Sequence, residues 1–173
     1  MEVLQIQRPD HLAEQTVQEL KQAGLQLAAA ESCTGGLIAA RITSVSGASG
    51  VFHCGMVTYS NDMKEKMLGV AHETLERFSA VSGETAAEMA AGVRRFSGAD
   101  IAVAVTGNAG PEPSEGKPVG EVYVAVDSAW YRETVRLDCP PLSGDVRQQI
   151  RMLAADKALL MAGQAIRKQE ERQ

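Results

Sequence analysis

Aromatic residues are scarce in this chain: one Trp, three Tyr and three Phe make up 4% of its 173 residues. This scarcity argues against a β-sandwich core or an aromatic-rich recognition surface, whereas a sequence rich in Ala, Gly and Val favours helices packed closely on a sheet. Because 45% of the residues are hydrophobic, a chain of this length can bury one full core but hardly two. We therefore expect a single domain over residues 1–173.

Long hydrophobic runs are absent as well. No stretch approaches the roughly 18 consecutive apolar residues that a membrane-spanning helix needs. Residues 1–5 lack the charged-then-apolar layout of a signal peptide. We expect a cytoplasmic protein without a membrane partner.

Basic residues and cysteines are also in short supply. Seventeen Lys and Arg stand against 22 Asp and Glu, which gives a net charge of −5. Since nucleic-acid-binding domains usually carry a basic stripe, we do not expect nucleic acid as a partner. Cys33, Cys54 and Cys139 show neither CxxC nor CxxH spacing, so we expect free thiols and no metal site.

Hydrophobic periodicity predicts an alternation of helices and strands. Helical spacing of apolar residues predicts helices over 10–23, 36–43, 62–68, 83–97 and 144–169. Apolar or alternating runs predict strands over 25–30, 51–59, 100–106, 119–126 and 131–139. This order is typical of an α/β fold, specifically a single-domain three-layer α/β/α sandwich with a mixed sheet. The last two strands and the long final helix are natural assembly surfaces, so we expect a homo-oligomer.

A polar turn separates the first predicted strand from the following helix. Ser32 lies on this turn, with Thr34 as the expected helix cap and Gly35 and Gly36 as the first helical residues. Unpaired N–H groups of residues 34–36 would then lie beside the Ser32 hydroxyl, where they could hold an anion or a developing oxyanion. Ser32 is therefore a candidate nucleophile. Cys33 is the alternative, because a thiol at a helix N-terminus acidifies, but only one of these neighbours can face the cleft.

A serine nucleophile needs a base, and none of the three histidines lies in a polar cluster that resembles a catalytic triad. If Asn61 caps the helix over 62–68, Lys64 is its third residue, where the helix dipole and partial burial would lower the pKa of the ammonium. Neighbouring Asp62 works against this shift. Lys64 is therefore either the base or a solvated surface lysine like Lys66.

Two further loops are candidate ligand-binding segments. The loop 106–110 offers the Thr106 hydroxyl and backbone N–H groups, although its glycines could equally be ordinary turn residues. The loop 44–50 is either a phosphate cradle or a plain connector. Three prolines between 111 and 118 predict an irregular arm without a core of its own. Ligands of open α/β sheets bind beside the carboxyl ends of the strands, where the loop 106–110 and the Ser32 turn are both expected.

The motifs occur in an order that closely resembles one known family, the CinA C-terminal domain family, over residues 10–165. They are AESCTGG at 30–36, YSN at 59–61 with Lys64, LGV at 68–70, AVS at 80–82, TG-x-AGP at 106–111 and KPVG at 117–120. The resemblance implies a nicotinamide-nucleotide amidase, which hydrolyses the carboxamide of nicotinamide mononucleotide to nicotinate mononucleotide and ammonia. It further implies the stand-alone form of that protein.

The resemblance also implies a role for each site residue. Ser32 would attack the carboxamide carbon, Lys64 would accept its proton and pass one to the departing ammonia, and Tyr59 would orient the lysine. The N–H groups of residues 34–36 would receive the oxyanion. No metal or organic cofactor is required. The implied substrate-binding set comprises Glu31, Thr34, Gly35, Gly36, Asn61, Thr106, Gly107, Ala109, Gly110 and Arg151.

Three departures from the family pattern bear on the substrate. Asn108 stands where the family usually has an apolar residue, and PEPSEG at 111–116 replaces a more glycine-rich arm. Arg147 is displaced by one position, which is about 100° around a helix, so Arg151 is the better candidate for a phosphate contact. The alternative function is a catalytically weak or inactive nucleotide-binding module of the same fold. A third, an interaction protein in DNA uptake or damage response, rests on the family's name alone.

Overall fold

The computed structural model describes residues 10–137, 139 and 142–172. Within these residues, the six α-helices are α1 (His11–Ala23), α2 (Leu37–Thr43), α3 (Asn61–Leu68), α4 (His72–Phe78), α5 (Gly83–Ser97) and α6 (Val146–Glu170). The loop 44–50 contains a short 3-10 helix, Ala48–Gly50. The five strands are β1 (Leu27–Glu31), β2 (Phe52–Val57), β3 (Ile101–Gly107), β4 (Val122–Ser128) and β5 (Arg132–Arg136). Two expectations fall at least partly outside the described residues: the one about residues 1–5, and residue 138 of the predicted strand 131–139.

The strands form one mixed sheet in the order β2-β1-β3-β4-β5. Strand β1 pairs in parallel with both β2 and β3, its register with β3 running from Leu27 opposite Ile101 to Glu31 opposite Val105. Strands β3, β4 and β5 pair antiparallel. Because β1, β2 and β3 point the same way, the loops that follow them meet at one edge of the sheet.

Helices cover both faces of this sheet, so the predicted three-layer α/β/α sandwich is confirmed. Alternate residues of β1 enter two separate cores: Leu27 and Ala29 pack with α1, α2 and α6, whereas Ala28 and Ala30 pack with α5. Small side chains on the strands let the helices approach closely. A similar approach occurs at Gly92 in α5, where a Cβ would collide with the carbonyl oxygen of Leu68 at the end of α3. This contact fixes the helix that carries Lys64.

Side-chain caps explain where several helices begin. Asp10 accepts a hydrogen bond from the Ala13 N–H at α1, and Ser82 accepts one from the Thr85 N–H at α5. At α3 the cap is Ser60, not Asn61, which makes Lys64 the fourth helical residue. The short helix α4 was not predicted, because it is mostly polar and its N-cap residue makes no capping hydrogen bond with its side chain.

The start of α2 corrects a second expectation. Gly35 and Gly36 have φ of +61° and +95°, in the left-handed region that favours glycine, so α2 begins only at Leu37. Thr34 is therefore not the helix cap, and its buried hydroxyl has no hydrogen-bond partner within the described residues. The glycines form the turn that brings the chain from β1 into α2.

No helix in the described part of the chain combines the length and apolar character needed to cross a bilayer. Within the same residues, no three His, Cys, Asp or Glu side chains are grouped so that they could hold a metal ion. The cytoplasmic location and the homo-oligomer stay predictions.

Candidate active site

Ser32 directly follows β1 at the sheet edge where the parallel strands end. Its N–H donates to the carbonyl oxygen of Val105 in β3 (3.0 Å), which ties the turn to the neighbouring strand. The residue is 8% exposed, and its hydroxyl lines a cavity. The turn thus holds the Ser32 hydroxyl on a fixed backbone at the mouth of the sheet.

Lys64 reaches Ser32 from α3. Its Nζ lies 3.1 Å from the Ser32 Oγ and donates to the carbonyl oxygen of Thr58 at 2.9 Å. Only 1% of the residue is exposed, and this burial lowers the pKa of Lys64, although the charges of Glu115 and Cys33 act in the opposite direction. A buried lysine with a lowered pKa is a chemically reasonable base for a serine hydroxyl.

Two alternatives left open by the sequence are resolved by these contacts. Lys64 is not a solvated lysine like Lys66, and Asp62, expected to oppose its pKa shift, instead pairs with Lys66 at the surface (2.9 Å). Both Ser32 and Cys33 line the cavity, so the expectation that only one of them faces the cleft is wrong. Cys33 is nevertheless only 5% exposed, and burial raises the pKa of its thiol to about 12. A thiol that stays protonated at neutral pH is a poor nucleophile.

Ser32 and Lys64 line a cavity of about 420 Å³. Its wall is built from the ends of β1 and β3, the segments around Tyr59 and Ala80, the arm 111–115 and the first turn of α6. Of the residues assigned to the site from the sequence, the cavity wall includes Ser32, Tyr59, Lys64, Thr106, Gly107, Ala109 and Gly110.

Glu31 does not reach this cavity. Its side chain is fully buried, and its carboxylate accepts hydrogen bonds from the N–H groups of Gly36 (3.0 Å), Ile38 (3.1 Å) and Ala39 (2.9 Å). The residue therefore neutralises the N-terminus of α2 from inside the protein. Glu31 is a positioning residue rather than a substrate-binding one.

The same contacts change the assignment of the oxyanion donors. The Gly36 N–H is taken by Glu31, and the Gly35 N–H donates to the carbonyl oxygen of Ser32 (3.0 Å). Neither group is free to receive an oxyanion. The Thr34 N–H donates to no acceptor within the described residues, but Thr34 is fully buried and is absent from the described cavity wall.

Asn108 holds the loop that follows β3. Its side-chain amide donates to the carbonyl oxygens of Glu112 (3.0 Å) and Lys117 (3.1 Å), and its oxygen accepts from the Gly110 N–H (2.9 Å). Ser114 and Lys117 close the arm through two backbone hydrogen bonds. The polar residue at 108 thus shapes the irregular arm 111–116.

The structure separates the two candidate arginines. Arg147 donates to the carbonyl oxygen of Gly110 and to the Tyr59 hydroxyl (3.1 Å), and it lines the cavity. Arg151, preferred from the sequence, donates to the carbonyl oxygen of Thr34 (2.9 Å) and is absent from the described cavity wall, as is exposed Asn61. Tyr59, 63% exposed, contacts Arg147 and not Lys64. Of the two arginines, Arg147 is therefore the one that lies at the described cavity wall.

Sequence reasoning missed three contributors. The Thr58 carbonyl oxygen binds Lys64, but a backbone acceptor leaves no trace in a sequence. Ala80 and Glu115 are brought together by a hydrogen bond from the Ala80 N–H to the Glu115 carboxylate (3.1 Å), and they lie 35 positions apart. The AVS motif at 80–82 was the one available signal for this wall of the cavity.

Comparisons with known proteins identify the family. A family model described as the CinA C-terminal domain matches residues 9–166. A CinA-like protein of Kosmotoga olearia is 46% identical over 151 residues, which is 87% of this chain and 36% of that protein. Another CinA-like protein, from Geobacter sulfurreducens, is 54% identical over 107 residues, 61% of this chain and 26% of that protein. The chain spans between about a quarter and about a third of the length of the curated relatives it matches.

Solved structures match over nearly the whole chain. The crystal structure of the competence/damage inducible protein CihA from Agrobacterium tumefaciens has a TM-score of 0.84 at 41% identity, covering 96% of this chain and 99% of that one. A CinA superfamily protein from Klebsiella pneumoniae has a TM-score of 0.84 at 35% identity, covering 92% and 98%.

Proposed function

Because the chain belongs to the CinA C-terminal domain family and places a buried lysine against a serine, we propose that it is an amidohydrolase acting on nicotinamide mononucleotide. The products are nicotinate mononucleotide and ammonia. The observation that carries this proposal is the 3.1 Å contact between the Lys64 Nζ and the Ser32 Oγ at the wall of a cavity.

The contact supports a serine–lysine mechanism. A neutral amine has two hydrogens and one lone pair, so Lys64 can donate to the Thr58 carbonyl oxygen while its lone pair accepts the Ser32 O–H. As the Ser32 oxygen bonds to the carboxamide carbon, the serine proton passes to Lys64.

Breakdown of the tetrahedral intermediate releases ammonia. Protonated Lys64 gives its proton to the amide nitrogen, the carbon–nitrogen bond breaks, and the acyl group stays on Ser32 as an ester. Lys64, neutral again, takes a proton from a water molecule that attacks this ester. The carboxylate product leaves and the Ser32 hydroxyl is restored.

The cavity supports a nucleotide substrate. Its volume of about 420 Å³ lies in the range of small-molecule sites. Arg147 provides a cation at the wall, where it could pair with a phosphate. The Thr106 hydroxyl is occupied by the Ala80 carbonyl oxygen (2.7 Å), so Thr106 shapes the pocket rather than donating to the nucleotide.

The test is ammonia release by the purified protein from nicotinamide mononucleotide, nicotinamide, its riboside and NAD. We expect release from the mononucleotide, reduced by more than about 10³-fold in Ser32→Ala because the nucleophile is lost. Ser49→Ala, which alters an exposed serine distant from β1 in the sequence, is the matched control and should keep full activity. Undiminished release by a folded Ser32→Ala protein would contradict the proposal.

The same experiment addresses the alternative, a nucleotide-binding module without catalysis. That function predicts saturable binding of the mononucleotide, measured by calorimetry, with no ammonia from any of the four compounds. Such a result would replace the amidase proposal.

A further inference from the structure

The cavity wall carries two carboxylates, which is unexpected for a site proposed to bind a phosphate ester. Glu112 and Glu115 line it, together with the cation of Arg147 and the buried amine of Lys64. With Lys64 neutral, the charged groups on the wall sum to one excess negative charge. This excess calls for a ligand that also carries positive charge.

Glu115 is the carboxylate that the structure holds in place. One of its oxygens accepts the Ala80 N–H (3.1 Å), and the Ala80 carbonyl oxygen accepts the Thr106 hydroxyl (2.7 Å), so the arm is linked to the end of β3. Asn108 binds the carbonyl oxygens of Glu112 and Lys117 and thereby fixes the arm on both sides of Glu115. The carboxylate is anchored at a defined point of the wall.

Glu115 also lines the same cavity as the two reacting groups, Ser32 and Lys64. Its charge acts on Lys64, raising the pKa of that amine against the effect of burial, and Lys64 lies 3.1 Å from the Ser32 Oγ. A carboxamide attacked by Ser32 must carry its ring within the same cavity. The ring of a bound substrate therefore lies in the field of Glu115.

We propose that Glu115 is a specificity-determining residue, which selects carboxamides borne on a cationic ring over those borne on an uncharged ring. This inference rests on the proposed function. The pyridinium of nicotinamide mononucleotide carries a positive charge that the carboxylate stabilises, whereas an uncharged ring gains nothing from it.

The test compares the binding of nicotinamide mononucleotide with that of its reduced dihydropyridine form, which keeps the phosphate, ribose and carboxamide but has an uncharged ring. Dissociation constants are measured by calorimetry in the Ser32→Ala protein, where neither ligand can turn over. Adding Glu115→Gln removes the charge, while the amide oxygen of Gln can still accept the Ala80 N–H. We expect the preference for the cationic ligand to fall about fivefold, with affinity for the neutral ligand unchanged.

Glu112→Gln is the matched control, because it removes the other wall carboxylate, and the Glu112 contact described above uses its backbone carbonyl oxygen. It should lower the preference less than Glu115→Gln does, because no hydrogen bond from a described residue holds the Glu112 carboxylate, whereas the Ala80 N–H holds that of Glu115. An unchanged preference in Glu115→Gln, an equal weakening of both ligands, or an equal effect of Glu112→Gln would each overturn the inference. Because binding is measured without turnover, failure of this inference is distinguishable from failure of the amidase proposal, which depends on ammonia release.

Discussion

The two loops that meet at the candidate site are built in opposite ways. In the turn after β1, Glu31 is buried and binds three N–H groups of the turn and of α2, and Ser32 is tied to β3. In the loop after β3, the arm 111–116 is exposed, and its shape depends on the side chains of Asn108 and Glu115. One loop is anchored inside the core, the other by a few contacts at the surface.

This difference suggests a division of labour. A nucleophile must be held to a fraction of an ångström, which internal hydrogen bonds and packing provide. Exposed loops change sequence and shape at little cost to the core, so they suit the recognition of a ligand. We expect changes in the first loop to alter the chemical step and changes in the second to alter affinity and preference.

The largest effect should come from Lys64→Met, which keeps the length of the side chain and removes the base. We expect ammonia release to fall by more than about 10³-fold. The fold should be retained, because an apolar side chain avoids the desolvation that burial imposes on the amine. Lys66→Met, on the exposed side of the same helix, is the control. Substantial activity in Lys64→Met would show that another group serves as base.

The dependence of kcat on pH should report the same amine. Burial lowers the pKa of Lys64 below its usual 10.5, and only the neutral amine accepts a proton. We expect kcat to rise about tenfold per pH unit below that pKa and to level off above it. Between the pKa of Lys64 in the folded protein and its higher pKa in the unfolded chain, the unfolded chain binds more protons. The free energy of unfolding should therefore rise with pH over this range. A flat kcat profile would contradict the role of Lys64.

Glu31→Gln tests the anchored loop itself. The amide offers one acceptor oxygen where three N–H groups converge, so we expect a loss of about 2 kcal/mol in the free energy of unfolding. We expect kcat to fall about 30-fold through displacement of Ser32, with KM nearly unchanged because Glu31 does not line the cavity. Glu84→Gln, in the exposed first turn of α5, is the control. A rise in KM with unchanged kcat would return Glu31 to the substrate-binding set.

Asn108→Ala tests the arm. It removes the three hydrogen bonds that hold residues 110, 112 and 117, so the arm should become more accessible to limited proteolysis. We expect KM for the mononucleotide to rise about tenfold, with kcat within about twofold of the unsubstituted protein, because ordering the arm then costs binding energy. Ser114→Ala, on the arm itself, should change neither the rate of proteolysis nor KM. A fall in kcat alone would break the proposed division between the two loops.

The fold was predictable because periodicity is a local property. Apolar runs marked β1 and β3, caps and glycines marked α1 and α5, and the strand ends placed Ser32 at the correct edge. Helix α4 was not predicted, because it is short and lacks a capping side chain. For Lys64 the sequence left two alternatives, the base or a solvated surface lysine, because its burial depends on helices distant in the sequence.

The interactions that were not predicted are those between a side chain and a distant backbone. The carboxylate of Glu31 takes the Gly36 N–H, one of the groups that the sequence had assigned to an oxyanion. Arg147 donates to the carbonyl oxygen of Gly110, 37 positions away, whereas the family pattern had favoured Arg151. Such contacts depend on where loops cross in space, which spacing along the chain does not encode.

The smallest effect on activity is expected from Cys33→Ala. This variant tests whether a residue of the anchored loop can be changed without altering the chemical step. Cys33 adjoins Ser32, but burial raises the pKa of its thiol to about 12, and its side chain belongs to the core. We expect kcat within about twofold and a loss of about 1 kcal/mol in stability. Iodoacetamide should leave the activity of the unsubstituted protein intact. The contrary result is inactivation by iodoacetamide that the Cys33→Ala protein resists and the Cys54→Ala protein does not. It would mean that the Cys33 thiol is accessible and that this loop is less firmly anchored than its hydrogen bonds indicate.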